Sequence, residues 1–201
     1  MKIFIIVSVI ILGIIILFQT YITMATNQTD SQPYKVVKSN KDFEIRFYPS
    51  ATMASITSSS KTYKELGNSG FRTLAGYIFG GNEAKTKIAM TAPVYMDIND
   101  SASSMSFVMP AGYNPSNLPK PNDSKIAIHT TEDKYVAAIS FGGYASDEKI
   151  KEYSDKLEKA LKASSIPFFG RFLFLGYNPP YQLFGRRNEI IVSVTWPNQA
   201  N

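Results

Sequence analysis

Phe43-Glu-Ile-Arg-Phe-Tyr-Pro-Ser-Ala-Thr-Met-Ala-Ser-Ile-Thr-Ser58 decides the fold class of this chain. Phe43, Ile45 and Phe47 alternate with Glu44 and Arg46, the period of a half-buried strand. Pro49-Ser50 turns the chain, and residues 51–58 form the next predicted strand. Ser60 is placed to cap a helix. In that helix Tyr63, Leu66, Gly70, Leu74 and Tyr77/Ile78 share one face, and Gly80-Gly81 ends it. Gly67 and Gly70 each cost a helix about 1 kcal/mol relative to Ala, which close packing against a sheet would explain. Two alternating stretches follow, Ile88 through Met96 and Met105 through Met109. Pro93 has no N–H to give a ladder, so it marks an edge or a bulge.

The pattern then recurs. Lys125-Ile-Ala-Ile-His-Thr130 and Tyr135-Val-Ala-Ala-Ile-Ser-Phe141 read as a hairpin around residues 131–134. Ser146 caps a second helix with Asp147 and Glu148 in its first turn. Ile150, Tyr153, Leu157 and Leu161 form its apolar stripe. Glu152–Lys156, Asp155–Lys159 and Glu158–Lys162 are spaced as i,i+4 pairs, and Pro167 stops the helix. Strands over 171–177 and 189–196 close the chain. Strand–strand–helix–strand–strand therefore occurs twice. The expectation is an α+β domain of pseudo-twofold, duplicated β-β-α-β-β units, its antiparallel sheet curled into a distorted barrel with two external helices. Phe43, Ile45, Ile88, Met90, Phe107, Ile139, Leu157, Val192 and Val194 are expected in its core.

Ahead of this domain, Ile3-Phe-Ile-Ile-Val-Ser-Val-Ile-Ile-Leu-Gly-Ile-Ile-Ile-Leu-Phe18 carries no charge, and none follows before Asp30. About 20 such residues cross a bilayer as one helix. Thr23-Met-Ala25 is the best cleavage site on offer, and it is a poor one. Residues 1–24 therefore read as a transmembrane signal-anchor, with a cleaved signal peptide as the rival. Residues 25–32 read as a polar linker and 33–201 as the domain. Lys2 stays cytoplasmic and the domain lies on the other side; cleavage would make it secreted or periplasmic.

The formal net charge of +5 comes from 21 basic and 16 acidic residues that are scattered rather than clustered, so no nucleic-acid footprint is indicated. With no Cys and one His, disulfides, thiolate metal sites and a Cys–His dyad are excluded. Gly-x-Ser-x-Gly does not occur, and no His/Asp/Glu cluster has metal-ligand spacing. Gly80-Gly-Asn-Glu-Ala-Lys-Thr86 lacks the glycines of a phosphate-binding loop and follows a helix instead of opening one. The chain reads as a binding protein, not an enzyme. His129, the lone imidazole, shares its strand face with Ala127 and Lys125 and reads as exposed, not as a ligand to iron. Asn27, Asn99 and Asn122 each start a glycosylation acceptor triplet.

Two further stretches are more distinctive. One is Gly176-Tyr-Asn-Pro-Pro-Tyr-Gln-Leu-Phe-Gly-Arg-Arg-Asn-Glu-Ile190; the other is Gly70-Phe-Arg-Thr-Leu-Ala-Gly-Tyr-Ile-Phe-Gly-Gly-Asn82, which leads into Lys87-Ile-Ala-Met-Thr-Ala-Pro-Val94. With Phe107-Val-Met-Pro110, Leu118-Pro-Lys-Pro121 and Phe141-Gly-Gly-Tyr144 between them, they resemble the SOUL family of haem-binding-like proteins from about Tyr34 to Trp196. The resemblance implies the same barrel and non-covalent binding of haem or a related tetrapyrrole by a monomer. It also implies a groove against the first helix of the domain. Phe71, Arg72 and Tyr77 are the candidates there, with Arg186 and Arg187 as partners for propionates. A guanidinium can grip a carboxylate through two parallel bonds. A local role for the two arginines, pairing with Glu189 or capping carbonyls, stays open, because adjacent strand residues face opposite ways. The family's proposed axial histidine position is Phe47 here, and a lysine implicated in vertebrate relatives is Gln182. Binding of another hydrophobic small molecule, as in effector-binding domains of similar fold, is the alternative, and a hydrolase a distant third.

Overall fold

A computed structural model describes residues 2–197; Met1 and residues 198–201, the end of the expected domain, lie outside the described residues. Twelve elements occur in the order α1 (Lys2–Asn27), β1 (Lys35–Ser39), β2 (Glu44–Tyr48), β3 (Thr52–Ser58), α2 (Tyr63–Ile78), β4 (Val94–Asp97), β5 (Ser103–Val108), β6 (Ala127–Thr130), β7 (Lys134–Phe141), α3 (Asp147–Ala163), β8 (Phe168–Gly176) and β9 (Asn188–Val194). The α+β class and both helices of the domain are as expected. β1 is an additional strand, and β4 is shorter than the alternation suggested. Before Pro93 the chain leaves the ladder, with Thr91 Oγ1 donating instead to the Val108 carbonyl at 2.6 Å. The α2 cap is Thr62, which accepts from Glu65 N–H at 3.2 Å, while Ser60 turns back to Ser58. Ser146 caps α3 as read, accepting from Lys149 N–H. On α3 the exposed pairs are Lys151–Asp155, Glu152–Lys156 and Glu158–Lys162.

All nine strands belong to one sheet, ordered β1-β2-β7-β9-β8-β4-β5-β3-β6, and every strand pair is antiparallel. The sheet is not closed into a barrel: β1 and β6 are its two edges. Both edges are short, mostly exposed and carry Lys35, Lys38, His129 and Thr130, a composition that blunts further pairing. The expected β6–β7 hairpin does not form. β6 pairs with β3, whereas β7 pairs with β2 and β9. The two connections that swap strands between the halves brace each other. Ser50 N–H donates to Asp133 Oδ1 at 2.7 Å, and Thr131 N–H to the Ala51 carbonyl at 2.9 Å.

α2 packs on β3 and β5, and α3 on β7, β8 and β9. Between helices and sheet lies the main apolar core, including Phe43, Ile45, Ile88, Phe107, Leu157, Val192 and Val194, with Met90 and Ile139 at its margin. Gly70 shows why α2 tolerates a glycine: a Cβ there would stand 3.2 Å from Ile56 and 3.3 Å from Met105. The opposite sheet face holds a second cluster built on Tyr48, Met53, Tyr95, Val136, Leu175 and Ile191.

α1 is 26 residues long and nearly all its apolar side chains are exposed, except near its end, where Gln19 and Ile22 are buried. The stretch read as a linker is ordered against the domain. Residues 25–27 continue the helix, Ser31 bridges to Ala92, and buried Gln32 accepts the Tyr95 hydroxyl at 2.6 Å.

Candidate functional site

The second face of the sheet is polar at its centre. Alternation along β2 puts Glu44, Arg46 and Tyr48 on that face, and along β9 it puts Glu189 and Ile191 there. Both strands flank β7, whose Ser140 lies opposite Glu189. Arg46 reaches across β7 to grip Glu189 with two nitrogens, at 2.8 and 3.1 Å, and takes Glu44 at 2.7 Å with its Nε. Arg187 donates to the same Glu189 carboxylate at 2.7 and 3.0 Å, and Tyr177 Oη and Ser140 Oγ donate at 2.7 and 3.0 Å. Tyrosine rings wall the cluster: Arg46 lies 4.3 Å over the Tyr34 ring and Arg187 4.2 Å over Tyr177. Arg46 is 3% exposed and Glu189 fully buried.

The half-buried reading of β2 sent Arg46 to solvent; the structure buries it instead, because the second sheet face is covered as well.

Burial acts to raise the pKa of Glu189, but hydrogen bonds and charge from Arg46 and Arg187 outweigh it and hold the carboxyl below its ordinary value. Burial pushes the Tyr48, Tyr95 and Tyr177 hydroxyls up, so they remain neutral, and Tyr95 and Tyr177 donate to Gln32 and Glu189. A carboxyl whose pKa is lower folded than unfolded contributes stability above the unfolded value, about 4.3 for Glu. That contribution is lost as pH falls through the folded value. The gap in urea midpoint between the native chain and Glu189→Gln should therefore be widest at neutral pH and narrow steadily below about pH 4.

The candidates named from sequence fall into two groups that no hydrogen bond, ion pair or ring contact joins among the described residues. On α2, the Phe71 ring is partly exposed and meets Phe107 edge-on at 5.3 Å, and exposed Arg72 borders a surface depression with Ser60, Glu65 and Ser69. Tyr77 points inward: it is 1% exposed and donates to the Pro119 carbonyl at 2.9 Å. The second group sits on the loop between β8 and β9. Arg186 Nη1 donates to the Pro179 and Gln182 carbonyls at 2.6 and 2.9 Å, and its guanidinium lies 4.4 Å from the ring centre of half-exposed Tyr144. Arg187 is occupied by Glu189 and donates to Tyr34 Oη at 3.0 Å. The local roles left open for the two arginines are thus both realised. Arg186 still keeps one buried nitrogen, Nε, without a partner.

His129 is exposed on edge strand β6, in an open depression of about 580 Å³ shared with Ser55, Thr57, Ser104, Ser106 and Lys125. Among the described residues no three His, Asp or Glu side chains group as a metal site.

The profile of the family described as SOUL heme-binding protein matches residues 29–193. The chain is 34% identical to mouse heme-binding protein 2 over 155 residues, covering 74% of this chain and 76% of that protein. It is 30% identical to heme-binding protein 1 of Xenopus laevis over 165 residues, covering 77% and 86%. Among solved structures, the EcmrR C-terminal domain superposes with a TM-score of 0.57 at 9% identity, over 82% of this chain and 99% of that one. A hydrolase from Listeria innocua superposes with a TM-score of 0.55 at 9% identity, over 79% and 94%. At such low identity these likenesses concern the fold alone.

Proposed function

Because this chain belongs to the SOUL heme-binding protein family, we propose that it binds haem or a related tetrapyrrole non-covalently, as a membrane-anchored binding protein and not an enzyme. The observation that carries this reading is the family match across the whole folded domain, with relatives named for haem binding. The side chains agree with it in kind. Phe71 offers an exposed aromatic face, and Arg72 beside it has no hydrogen bond or ion pair among the described residues. Arg186 offers an incompletely satisfied guanidinium next to the exposed Tyr144 ring. Arg187, with a side chain 43% exposed, keeps an edge toward solvent. An apolar ring face would bind by area removed from water, and its propionates by charge-assisted bonds to arginine. Tyr77 supports the α2 face from within rather than touching a ligand.

Anchoring is supported by α1, the one described helix long and apolar enough to cross a membrane. With residues 1–24 as the anchor and the domain from residue 33 onward, the binding surface stands on the non-cytoplasmic side. The pseudo-twofold reading is supported by the strand order: exchanging β2 with β6, β3 with β7, β4 with β8 and β5 with β9 reverses the run from β2 to β6.

The test is by substitution. If ring burial and propionate contacts supply the affinity, His129→Ala should leave both the Soret spectrum and the affinity unchanged. Replacing Arg186 and Arg187 together by Ala should weaken binding by about 1–3 kcal/mol, and high salt should reproduce part of that loss. A Soret band that collapses in His129→Ala would make that imidazole the axial ligand and overturn the proposed mode.

A further inference from the structure

The loop between β8 and β9 presents apolar side chains outward although they lie in a well-tied segment. Tyr181, Leu183 and Phe184 are 59%, 45% and 70% exposed. The backbone around them is fixed by Gln182, which is buried and takes bonds from Thr26 Oγ1 at 2.9 Å and Asn178 Nδ2 at 3.1 Å while donating to the Phe184 carbonyl at 2.8 Å. Arg186 closes the loop from the other side through the Pro179 and Gln182 carbonyls. A segment held this firmly has no folded-state reason to leave three large apolar groups in water.

Its docking partner supplies the reason. The loop is bonded directly to α1: Gln19 Nε2 donates to the Tyr181 carbonyl at 3.1 Å, and Leu183 N–H donates to Gln19 Oε1 at 2.9 Å. Gln19 is the first amide after the apolar run that starts at Ile3. At 1.5 Å per residue, residues 3–18 span about 24 Å of a hydrocarbon core about 30 Å thick. Gln19 therefore stands just inside the far boundary, and the loop bonded to it is held at that same depth. On α1, Phe18 and Tyr21 are exposed beside the docked face, so the apolar surface of the helix runs on into that of the loop. Residues 178–188 include no acidic side chain, while Arg186 and Arg187 follow the apolar tip. Tyr, Leu and Phe at the tip with arginine behind it is the composition of a segment lying in a membrane interface.

We infer that residues 181–184 form a second membrane contact, inserting Tyr181, Leu183 and Phe184 into the leaflet from which α1 emerges and fixing the domain's tilt against the bilayer. The inference rests on the anchoring reading above. It places one of the two arginine groups, Arg186 with Tyr144, at the membrane surface, where an amphipathic ring partitioned into lipid would meet it first.

Because the chain has no cysteine, single cysteines carrying a nitroxide label give a clean depth measurement on the full chain in phosphatidylcholine–phosphatidylglycerol vesicles. The sites are Phe184→Cys, Ile10→Cys in mid-α1 and Phe169→Cys. Phe169 is likewise exposed, but at the opposite end of β8, about 20 Å along the strand from the loop. Collisions with oxygen should exceed those with a water-soluble nickel chelate at 10 and at 184. Collisions with the chelate should exceed those with oxygen at 169. A label at 184 that matches 169 while 10 stays lipid-exposed overturns the loop contact and leaves the anchor standing. A water-exposed label at 10 overturns the anchor itself, and the loop contact with it.

Discussion

Replacing Glu189 by Ala should destabilise the protein by about 3–5 kcal/mol, the cost of leaving a buried charge without its partner. Glu189 is the hub of the ionic cluster: it accepts from Arg46, Arg187, Tyr177 and Ser140, and nothing else nearby can neutralise Arg46 except Glu44 at the rim. Arg46 is held in a bidentate grip beneath the Tyr34 ring and cannot turn to solvent without opening the β1 edge. Removing both partners should cost less than removing one. The double change Arg46→Met with Glu189→Leu removes the buried ion pair and leaves only Arg187 and Glu44, both partly open to solvent, without their partner. Urea unfolding of the single and double variants checks this. A loss below about 1 kcal/mol in Glu189→Ala would mean that water already reaches the cluster.

Leu157→Ala should cost about 2–5 kcal/mol, through lost transfer energy and the cavity left behind. The side chain is fully buried, at the centre of the α3 face that lies on β7, β8 and β9, and Leu161 one turn on is equally buried. Tyr153 extends the same apolar face by stacking on Phe141 at 4.3 Å. Its outward ion pairs, Lys151–Asp155, Glu152–Lys156 and Glu158–Lys162, are solvent-exposed and contribute little. Lys156→Ala should accordingly change the urea midpoint little. If Leu157→Ala loses less than about 0.5 kcal/mol, the packed face of α3 is not the one described.

What local pattern controls was legible in the sequence, and what depends on partners was not. Leu66, Leu74, Leu157 and Leu161 recur at helical spacing, and each is fully buried where its helix meets the sheet. Ile45, Phe107 and Val192 alternate with period two, and each faces the helices. The alternation says nothing about which strand lies beside which. A short turn after Thr130 reads as a hairpin, yet the chain crosses to the other half, where β6 pairs with β3 and β7 with β2. Nor does a period-two strand reveal whether its polar face meets water, which is why Arg46 was read as exposed. The charges of Arg46 and Glu189 are legible only as a pair, and 143 residues separate them. Of the candidate site, Phe71 and Arg72 stand at the surface, whereas helical spacing could not distinguish the inward turn of Tyr77 from an outward one.

Haem binding itself is tested most directly by following the Soret band while haemin is added to the full-length protein in lipid nanodiscs. Protein-free nanodiscs serve as the blank for haem dissolved in lipid, and iron-free protoporphyrin is titrated in parallel. The account predicts saturation at one ring per chain above the blank, with the iron-free ring binding about as tightly as haemin, because the proposed mode draws its affinity from ring burial and propionate contacts. Absence of saturable binding by either ring would contradict it and leave the domain as a receptor for some other hydrophobic molecule.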